Sequence, residues 1–372
     1  MYASIFNRER GDIVEKKVDD EIRIEIKDDI YKFLNPNDND RIKDLSNNDR
    51  IYMMYLLKQY YLELRNNLNI DENVSFGVEI EFENAYRDLI ELNIYNLFSD
   101  SGWNIVDDGS LFNGGELVSP CLYNKYNMWK DLDVVCDIVN KNAYVCDNVG
   151  GHIHIGMDIL GNNSKYWVNF FKLWLAYENV IFRFLNGEYI SYRSGIQEHA
   201  RPIAVDLINN MKRLDNVLLD RNASYVIKIL DSGIDRIDRR NRCINLTNIE
   251  GFQPFQYNQK LDKNTIEFRS PNGTFNPVIW QNNINLLVSM LIYAKSDRFD
   301  LELINRRINE IKVSDFVGNL RMYNYLYINQ VIEFIDLIYE NNLDKIYFLR
   351  QYIKDGSVTS KPFIKSRCFT TR

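Results

Sequence analysis

Three short stretches of the sequence predict the centre of the fold: Phe76-Gly-Val-Glu-Ile-Glu-Phe82, Gly150-Gly-His-Ile-His-Ile-Gly156 and Thr265-Ile-Glu-Phe-Arg269. Each alternates apolar and polar residues, and successive side chains of a β-strand point to opposite faces. The residues predicted to share one face are therefore Glu79 with Glu81, His152 with His154, and Glu267 with Arg269. The apolar residues between them would face a core, so the three stretches predict a sheet with one strongly polar face.

The two carboxylates of the first stretch need a positive partner. At a separation of about 4 Å and an effective dielectric near 20, two like charges repel by about 4 kcal/mol. A solvated strand face is the ordinary structural alternative for a Glu-x-Glu pair. The apolar residues around Glu79 and Glu81 favour a central strand instead, where unpaired acids are unfavourable. A bound metal ion is therefore the prediction.

The two histidines of the second stretch point the same way, because the chain contains only three histidines. His152 and His154 lie between Gly150-Gly151 and Gly156, and glycines let a backbone or a ligand approach closely. A core imidazole hydrogen-bonded to a backbone carbonyl would explain one histidine more readily than two on one face. Imidazole combined with carboxylates suits Mg²⁺ or Mn²⁺ with nucleotide phosphates, or alternatively zinc.

Further charged residues could complete this site. Glu116 follows a Gly-Gly pair and, with Asp108 close in sequence, is a candidate additional metal ligand. Glu267 and Arg269 could form a simple salt bridge, or Glu267 could bind metal while Arg269 contacts a phosphate or carboxylate, which its planar guanidinium suits. Loops between the acidic strands contain more residues suited to an anionic substrate, namely Arg193, His199, Arg201 and Arg242.

Composition limits the function. The 372-residue chain has a net charge of −7, which argues against a nucleic-acid-binding surface. Its five cysteines include no Cys-x-x-Cys pair, so we expect a reducing, cytoplasmic location rather than disulfides. The first twenty residues have no signal-peptide pattern, and no apolar stretch is long enough to predict a membrane span.

The pattern along the chain predicts three parts. Residues 1–70 would be an accessory region comprising a strand at Glu21–Lys27, an Asn/Asp-rich linker and a helix capped by Asp49. Residues 71–296 would be the catalytic domain, with long helices at about 125–142, 165–185 and 278–294. Residues 297–372 would be helical and end in a basic, extended tail. The fold class expected from this order is α+β.

Four motifs taken together resemble the amidoligase family, the carboxylate–amine ligases related to glutamine synthetase and glutamate–cysteine ligase. Three are the opening stretches; the fourth joins Asp108-Gly-Ser-Leu111 to Gly115-Glu-Leu-Val-Ser-Pro120. Glu178, Arg193 and His199-Ala-Arg-Pro202 also fall where the family has a Glu, an Arg and a Tyr-Ala-Arg-Pro-like run. His199 stands where a Tyr is usual, which puts the role of that position in doubt. The resemblance covers about residues 74–296.

The resemblance implies a glutamine-synthetase-like domain, with a curved antiparallel sheet whose concave face binds ATP and Mg²⁺ and whose convex side carries helices. By carry-over, the implied metal ligands are Glu79, Glu81, Glu116, His152 and Glu267. Arg269 would contact phosphate, assisted by Arg193, Arg201 and Arg242, and His154 would lie at the nucleotide. The reaction also needs a base for the incoming ammonium group, for which we suggest Asp108 or, less readily, His199. Mn²⁺ could replace Mg²⁺, and relatives of this kind often form homo-oligomers.

The function expected is an ATP-dependent ligase that joins a carboxylate to an amine through an acyl phosphate. The substrates could be amino acids, peptides or protein side chains. Two alternatives remain open: a metal-dependent amide hydrolase using the same pocket, and a nucleotide- or peptide-binding module without catalysis.

Overall fold

A six-stranded antiparallel sheet lies at the centre of the computed structural model, with strand order β2-β3-β1-β4-β6-β5. The structure describes residues 20–99, 101–188, 193–215, 223–230, 240–249, 263–312 and 320–360. Helices pack against the sheet, so the architecture is mixed α and β, in agreement with the predicted class. The strands are β1 (Phe76–Phe82), β2 (Asn104–Val106), β3 (Gly115–Val118), β4 (Gly151–Gly156), β5 (Ile244–Asn245) and β6 (Thr265–Phe268).

The helices of the described residues fall into three groups along the chain. Before the sheet lie α1 (20–33) and α2 (Asn47–Gln59). Between its strands lie α3 (Arg87–Phe98), α4 (Tyr126–Asn142), α5 (Ser164–Leu185), α6 (Ile196–His199), α7 (Ala204–Asp215) and α8 (Ala223–Leu230). After the sheet lie α9 (Pro277–Lys295), α10 (Leu301–Glu310), α11 (Ile328–Ile338) and α12 (Asn342–Ile353). The predicted long helices thus correspond to α4, α5 and α9.

The apolar face of the sheet packs against α4, α5 and α9. Phe268 of β6 stacks on Trp174 of α5, with ring centroids 6.0 Å apart, and Phe76 of β1 stacks on Trp129 of α4 at 5.1 Å. Gly151 of β4 has no side chain because Trp280 of α9 occupies the space, where a Cβ atom would lie 2.4 Å from the ring. The alternation in the three opening stretches therefore places one face of the sheet in the core, as predicted.

Helix α5 is buried along almost its whole length and bends once. Its backbone leaves helical angles at Tyr177 (φ −131°, ψ 19°), one residue before the fully buried Glu178. The aromatic residues predicted along this helix are core residues, because both faces of α5 pack against other elements.

Glu178 should make the stability of the protein depend on pH. Burial raises the pKa of Glu178 from 4.5 to about 7. The hydrogen bonds that its carboxyl group accepts oppose this shift but are outweighed by burial. Because the folded state binds this proton more tightly than the unfolded state, the free energy of unfolding should fall as the pH rises from about 4.5 to about 7. Relative to Glu178→Gln, which cannot titrate, the expected loss is roughly 3 kcal/mol. Parallel urea-unfolding profiles of the two proteins between pH 4.5 and 7.5 would contradict this.

The strand predicted at Glu21–Lys27 is wrong, because these residues belong to α1. Ile22 and Ile24 of the alternating run are exposed, whereas Ile30 and Leu34 are completely buried. Ile26, Ile30 and Leu34 are each four residues apart, so they lie on one face of a helix that packs against the core. Burial of this face stabilises a helix more than the short local alternation favours a strand. The predicted cap of α2 is also corrected: Ser46, not Asp49, accepts the backbone hydrogen bond, and the donor is Asp49 N–H.

The segments before β1 and after α9 contact each other. The backbone N–H of Leu62 donates to the carbonyl of Val358 at 2.7 Å, and that of Asn342 donates to Asp38 at 2.8 Å. The division into regions 1–70, 71–296 and 297–372 stays a prediction, and the predicted basic tail from residue 361 lies outside the described residues. In the described part of the chain, none of the helices is both long and apolar enough to cross a membrane.

Candidate functional site

The register of the sheet brings the predicted polar residues into adjacent positions on one face. Glu79 of β1 lies opposite His152 of β4, and Glu81 of β1 lies opposite Glu116 of β3. His154 lies opposite Glu267 of β6. Paired residues of antiparallel strands point to the same side of a sheet, so these six side chains form one surface. We call it the carboxylate–imidazole cluster.

Glu79 is the centre of this cluster. Its Oε2 atom lies 2.7 Å from His152 Nδ1, and its Oε1 atom lies 2.9 Å from His154 Nε2 and 3.0 Å from Lys263 Nζ. Burial would raise the pKa of Glu79, but the hydrogen bonds from the two histidines outweigh it and hold the pKa far below its usual range. Glu79 is therefore a carboxylate with three nitrogen partners.

His152 lies between two carboxylates. Burial would lower the pKa of His152, but the contact with Glu79 and the neighbouring Glu81 raise it to about 9. Its Nε2 atom is 3.1 Å from Glu81 Oε1 yet has no hydrogen bond of acceptable geometry. Glu81 in turn accepts a hydrogen bond from the backbone N–H of Gly150. A positive charge is thus favoured at this point of the cluster.

Glu267 is held by three donors. The side-chain amides of Asn245 and Asn248 donate to its Oε2 atom at 2.7 and 2.9 Å, and Arg269 donates to its Oε1 atom at 2.6 Å. Burial would raise the pKa of Glu267, but the nearby His152, His154 and Arg269 lower it. The sequence predicted the Glu267–Arg269 pair but not the two asparagines.

Two groups of side chains in the cluster could hold a divalent cation. The first consists of Glu79, His152 and Glu267, and the second of Glu81, Glu116 and His152. In each group the candidate ligand atoms lie within 4.8 Å of one another, and His152 belongs to both. Burial and the charges of Glu79, Glu81 and Asp108 outweigh the opposing charge of His152 and raise the pKa of Glu116 to about 7. All five predicted metal ligands are thus brought together; whether they bind a metal stays a prediction.

Arg193 lies directly beside the cluster. A Cβ atom on Gly150 would be 1.2 Å from the guanidinium group of Arg193, so glycine is required for this approach. Arg193 donates to the carbonyl oxygen of Arg269 at 2.8 Å, and its charge helps to lower the pKa of Glu81. The predicted close approach at the Gly150-Gly151 pair therefore involves an arginine.

Arg201 and Arg242 lie against Asp206 of α7. Arg242 donates to Asp206 Oδ2 at 2.7 Å, and Arg201 Nη2 is 3.6 Å from the same oxygen. The backbone next to Arg242 is joined to the site, because the N–H of Arg269 donates to the carbonyl of Cys243 at 2.8 Å. The sequence reasoning did not identify Asp206 as their partner.

The two residues predicted as general bases differ in position. Asp108 lies in the loop before β3, where it accepts hydrogen bonds from the N–H and hydroxyl of Ser110 and influences the pKa of Glu116. His199 has a half-exposed imidazole, and only its backbone carbonyl contacts the site, by accepting from Arg269 Nε at 3.0 Å. Asp108 is therefore close to the cluster, while the imidazole of His199 is not in a described contact with it.

A cavity of about 360 Å³ opens beside the cluster at the Glu79–His154 end. Gly77 and Gly156 lie on the polar face here, and because they have no side chains the surface of the sheet is open at these two positions. Val118 and Pro120 contribute apolar side chains to the lining of the cavity, and Glu79, His154 and Lys263 contribute polar ones. This volume and mixed lining suit an aromatic ring with polar substituents.

Glu83 is the main functional candidate that the sequence analysis missed. Its buried carboxylate continues the alternation of Glu79 and Glu81 and accepts hydrogen bonds from the N–H of Phe112 and from Asn148, both at 2.9 Å. The period-two pattern could have indicated it. Lys263, in contrast, reaches Glu79 from a distant part of the chain and has no local signal.

Comparison with known proteins identifies one family. The family described as "Putative amidoligase enzyme" matches residues 99–291, slightly more than half of the chain. The match begins after β1, so it includes Glu116, His152, Glu267 and Arg269 but not Glu79 or Glu81. A search of curated proteins finds no match.

Proposed function

The chain belongs to the amidoligase family, and on this basis we propose that it is an ATP- and Mg²⁺-dependent ligase that joins a carboxylate to an amine. The family description indicates a ligase. The observation that carries the more specific proposal is the pair of three-ligand groups that share His152, because carboxylate-rich groups of this kind can hold the divalent cations that bridge phosphates.

The residues of the cluster fit a divalent cation chemically. Carboxylate oxygens are the ligands that Mg²⁺ and Mn²⁺ prefer, and His152 would supply a nitrogen ligand after losing a proton as the cation binds. Glu79 and Glu267 would hold one ion and Glu81 and Glu116 the other, with the single lone-pair nitrogen of neutral His152 completing one of the two sites. Bound ions would neutralise charge on the transferring phosphoryl group.

The reaction would proceed in two steps. A carboxylate oxygen of the acid would attack the γ-phosphorus of ATP, with release of ADP and formation of an acyl phosphate. The amine nitrogen would then attack the acyl carbon, the C–O bond to phosphate would break, and the amine would lose a proton. We keep Asp108 as the proposed acceptor of that proton, since it lies close to Glu116 at the acidic end of the cluster.

The arginines would stabilise the anionic groups. Arg269 is partly exposed and has Glu267 as its partner, so one part of its guanidinium is held while the rest can contact a phosphoryl oxygen. Arg193 holds the Arg269 backbone and is buried beside Glu81. Arg201 and Arg242 would assist at the phosphates or the acid substrate.

The cavity beside Glu79 and His154 supports an orientation for ATP. The apolar side chains of its lining, Val118 and Pro120, would contact the base, while Lys263 would contact phosphate or ribose oxygens. The triphosphate would then extend across the cluster toward Arg269, and the acid and amine would bind at the Glu81–Glu116 end.

Hydroxylamine can serve as a general amine to test this proposal. With Mg²⁺, ATP and a panel of amino acids and short peptides, we expect hydroxamate, ADP and phosphate to form in equal amounts with at least one acid. Phosphate release should require both the acid and hydroxylamine. Amide hydrolysis independent of ATP would instead establish the hydrolase, and Mg²⁺–ATP binding without turnover across the panel would indicate a binding module.

A further inference from the structure

Glu178 of α5 is a fully buried carboxyl group with four hydrogen-bond donors. Its Oε2 atom accepts from Trp174 Nε1 and from the backbone N–H groups of Ile203 and Ala204, at 2.9, 2.9 and 3.0 Å. Its Oε1 atom accepts from the Tyr323 hydroxyl at 3.0 Å. The non-helical backbone at Tyr177 immediately precedes it.

The two backbone donors lie at the start of α7. The first N–H groups of a helix have no partner within the helix and are usually satisfied by a polar side chain just before it. Ile203 occupies that position here and its side chain cannot accept a hydrogen bond. Glu178, from a different helix, therefore supplies the missing cap, and the helix dipole favours a carboxyl group at this end.

The start of α7 is tied to the arginines of the site. Arg201 exchanges backbone hydrogen bonds with the segment that leads into β5, donating to Asn241 at 2.7 Å and accepting from Cys243 at 2.9 Å. Asp206, in the first turn of α7, contacts the side chains of Arg201 and Arg242. A rigid start of α7 thus fixes both arginines and, through Cys243, the backbone of Arg269.

We propose that Glu178 is a positioning residue, whose carboxyl group caps α7 from α5 and thereby holds Arg201, Arg242 and Asp206 in place for the reaction. The effect on turnover rests on the proposed ligase function, because the arginines act there on anionic groups. The structural part of the proposal, that Glu178 fixes the start of α7, does not depend on it. Tyr323 joins the chain after α9 to this contact and stacks on Phe182 of α5 at 4.7 Å.

Substitutions at Glu178 can separate its acceptor role from its volume. Glu178→Gln keeps an oxygen that can accept from Ile203 and Ala204, whereas Glu178→Met has a similar volume and no such acceptor. Glu178→Asp keeps the carboxyl group, but its side chain is one methylene shorter, so the oxygens no longer reach the N–H groups of Ile203 and Ala204. Tyr323→Phe removes only the donor to Oε1 and leaves the α7 contact intact.

Hydrogen exchange followed by mass spectrometry tests the structural part. In Glu178→Met, amide exchange in peptides covering 199–206 should accelerate on the order of tenfold or more, while peptides covering β1 stay as in the wild type. Glu178→Gln and Tyr323→Phe should remain within about twofold of the wild-type rate at 199–206. If Glu178→Met does not fold, Glu178→Asp should give the same local acceleration. Wild-type exchange at 199–206 in the folded Met or Asp variant would overturn the proposal.

A double-mutant cycle tests the link to turnover. If Glu178 acts through Arg201, the losses in kcat/KM caused by Glu178→Met and Arg201→Gln should not add, and the double variant should resemble Arg201→Gln. Mn²⁺ binding should be unchanged in Glu178→Met, since the cluster is not altered. Additive losses would show that Glu178 does not act through Arg201, even if the exchange result stands. Failure of the ligase assay with wild-type protein would concern the proposed function alone.

Discussion

Glu267→Gln and His152→Ala should each lower ATP-dependent turnover by about a thousandfold or more while the protein stays folded. His152 belongs to both candidate ion groups, and Glu267 is the acid of β6 in the first. Under the proposed function, each change therefore removes a ligand that would hold a cation at the phosphates. The Gln variant keeps the volume of Glu267 and can still contact Asn245 and Asn248.

Metal binding gives a readout of the same variants that does not need the natural substrates. Titration with Mn²⁺, followed by electron paramagnetic resonance, should show fewer or weaker bound ions in both variants. Glu91→Gln is a matched control, because Glu91 is an exposed carboxylate of α3 that pairs with Arg87. Circular dichroism and thermal unfolding should confirm the fold in all three. Wild-type Mn²⁺ binding and turnover in both site variants would refute the assignment of this cluster as the metal site.

Gly114→Ala should destabilise the protein by about 3 kcal/mol or more. A Cβ atom at Gly114 would lie 2.0 Å from the carbonyl oxygen of Phe82 and 3.0 Å from the Cα atom of Glu83. Both neighbours are backbone atoms at the end of the central strand β1, so neither can move away as a flexible side chain could. The loop before β3 would have to shift, and Glu116 would shift with it.

Gly109→Ala is the matched control for this prediction. Gly109 lies in the same loop, its φ angle is not positive, and a Cβ atom there would meet nothing within 4 Å. We expect its free energy of unfolding to stay within about 0.5 kcal/mol of the wild type. Urea unfolding of both variants measures the difference. A Gly114→Ala protein as stable as Gly109→Ala would show that the loop can leave β1 without loss.

Local pattern was enough to predict which side chains share a face. Alternation is a property of one strand, so Glu79 and Glu81, or His152 and His154, could be paired from the sequence alone. The long helices could be predicted too, because the helical spacing of apolar residues is also a local property of the sequence. The prediction failed at Glu21–Lys27, where a short alternating run is part of a longer helix and the buried residues Ile30 and Leu34 decide the conformation.

The sequence by itself determined the composition of the polar face: carboxylates, imidazoles and an arginine separated by apolar residues that must face a core. Only the tertiary structure decided how they meet. The register of the strands pairs Glu79 with His152 and Glu81 with Glu116. This register depends on hydrogen bonds between strands that are far apart in the chain. The same holds for Lys263 at Glu79, for Asp206 between two arginines and for Glu178 at the start of α7. These contacts depend on how separate elements pack, and local periodicity contains no information about that packing.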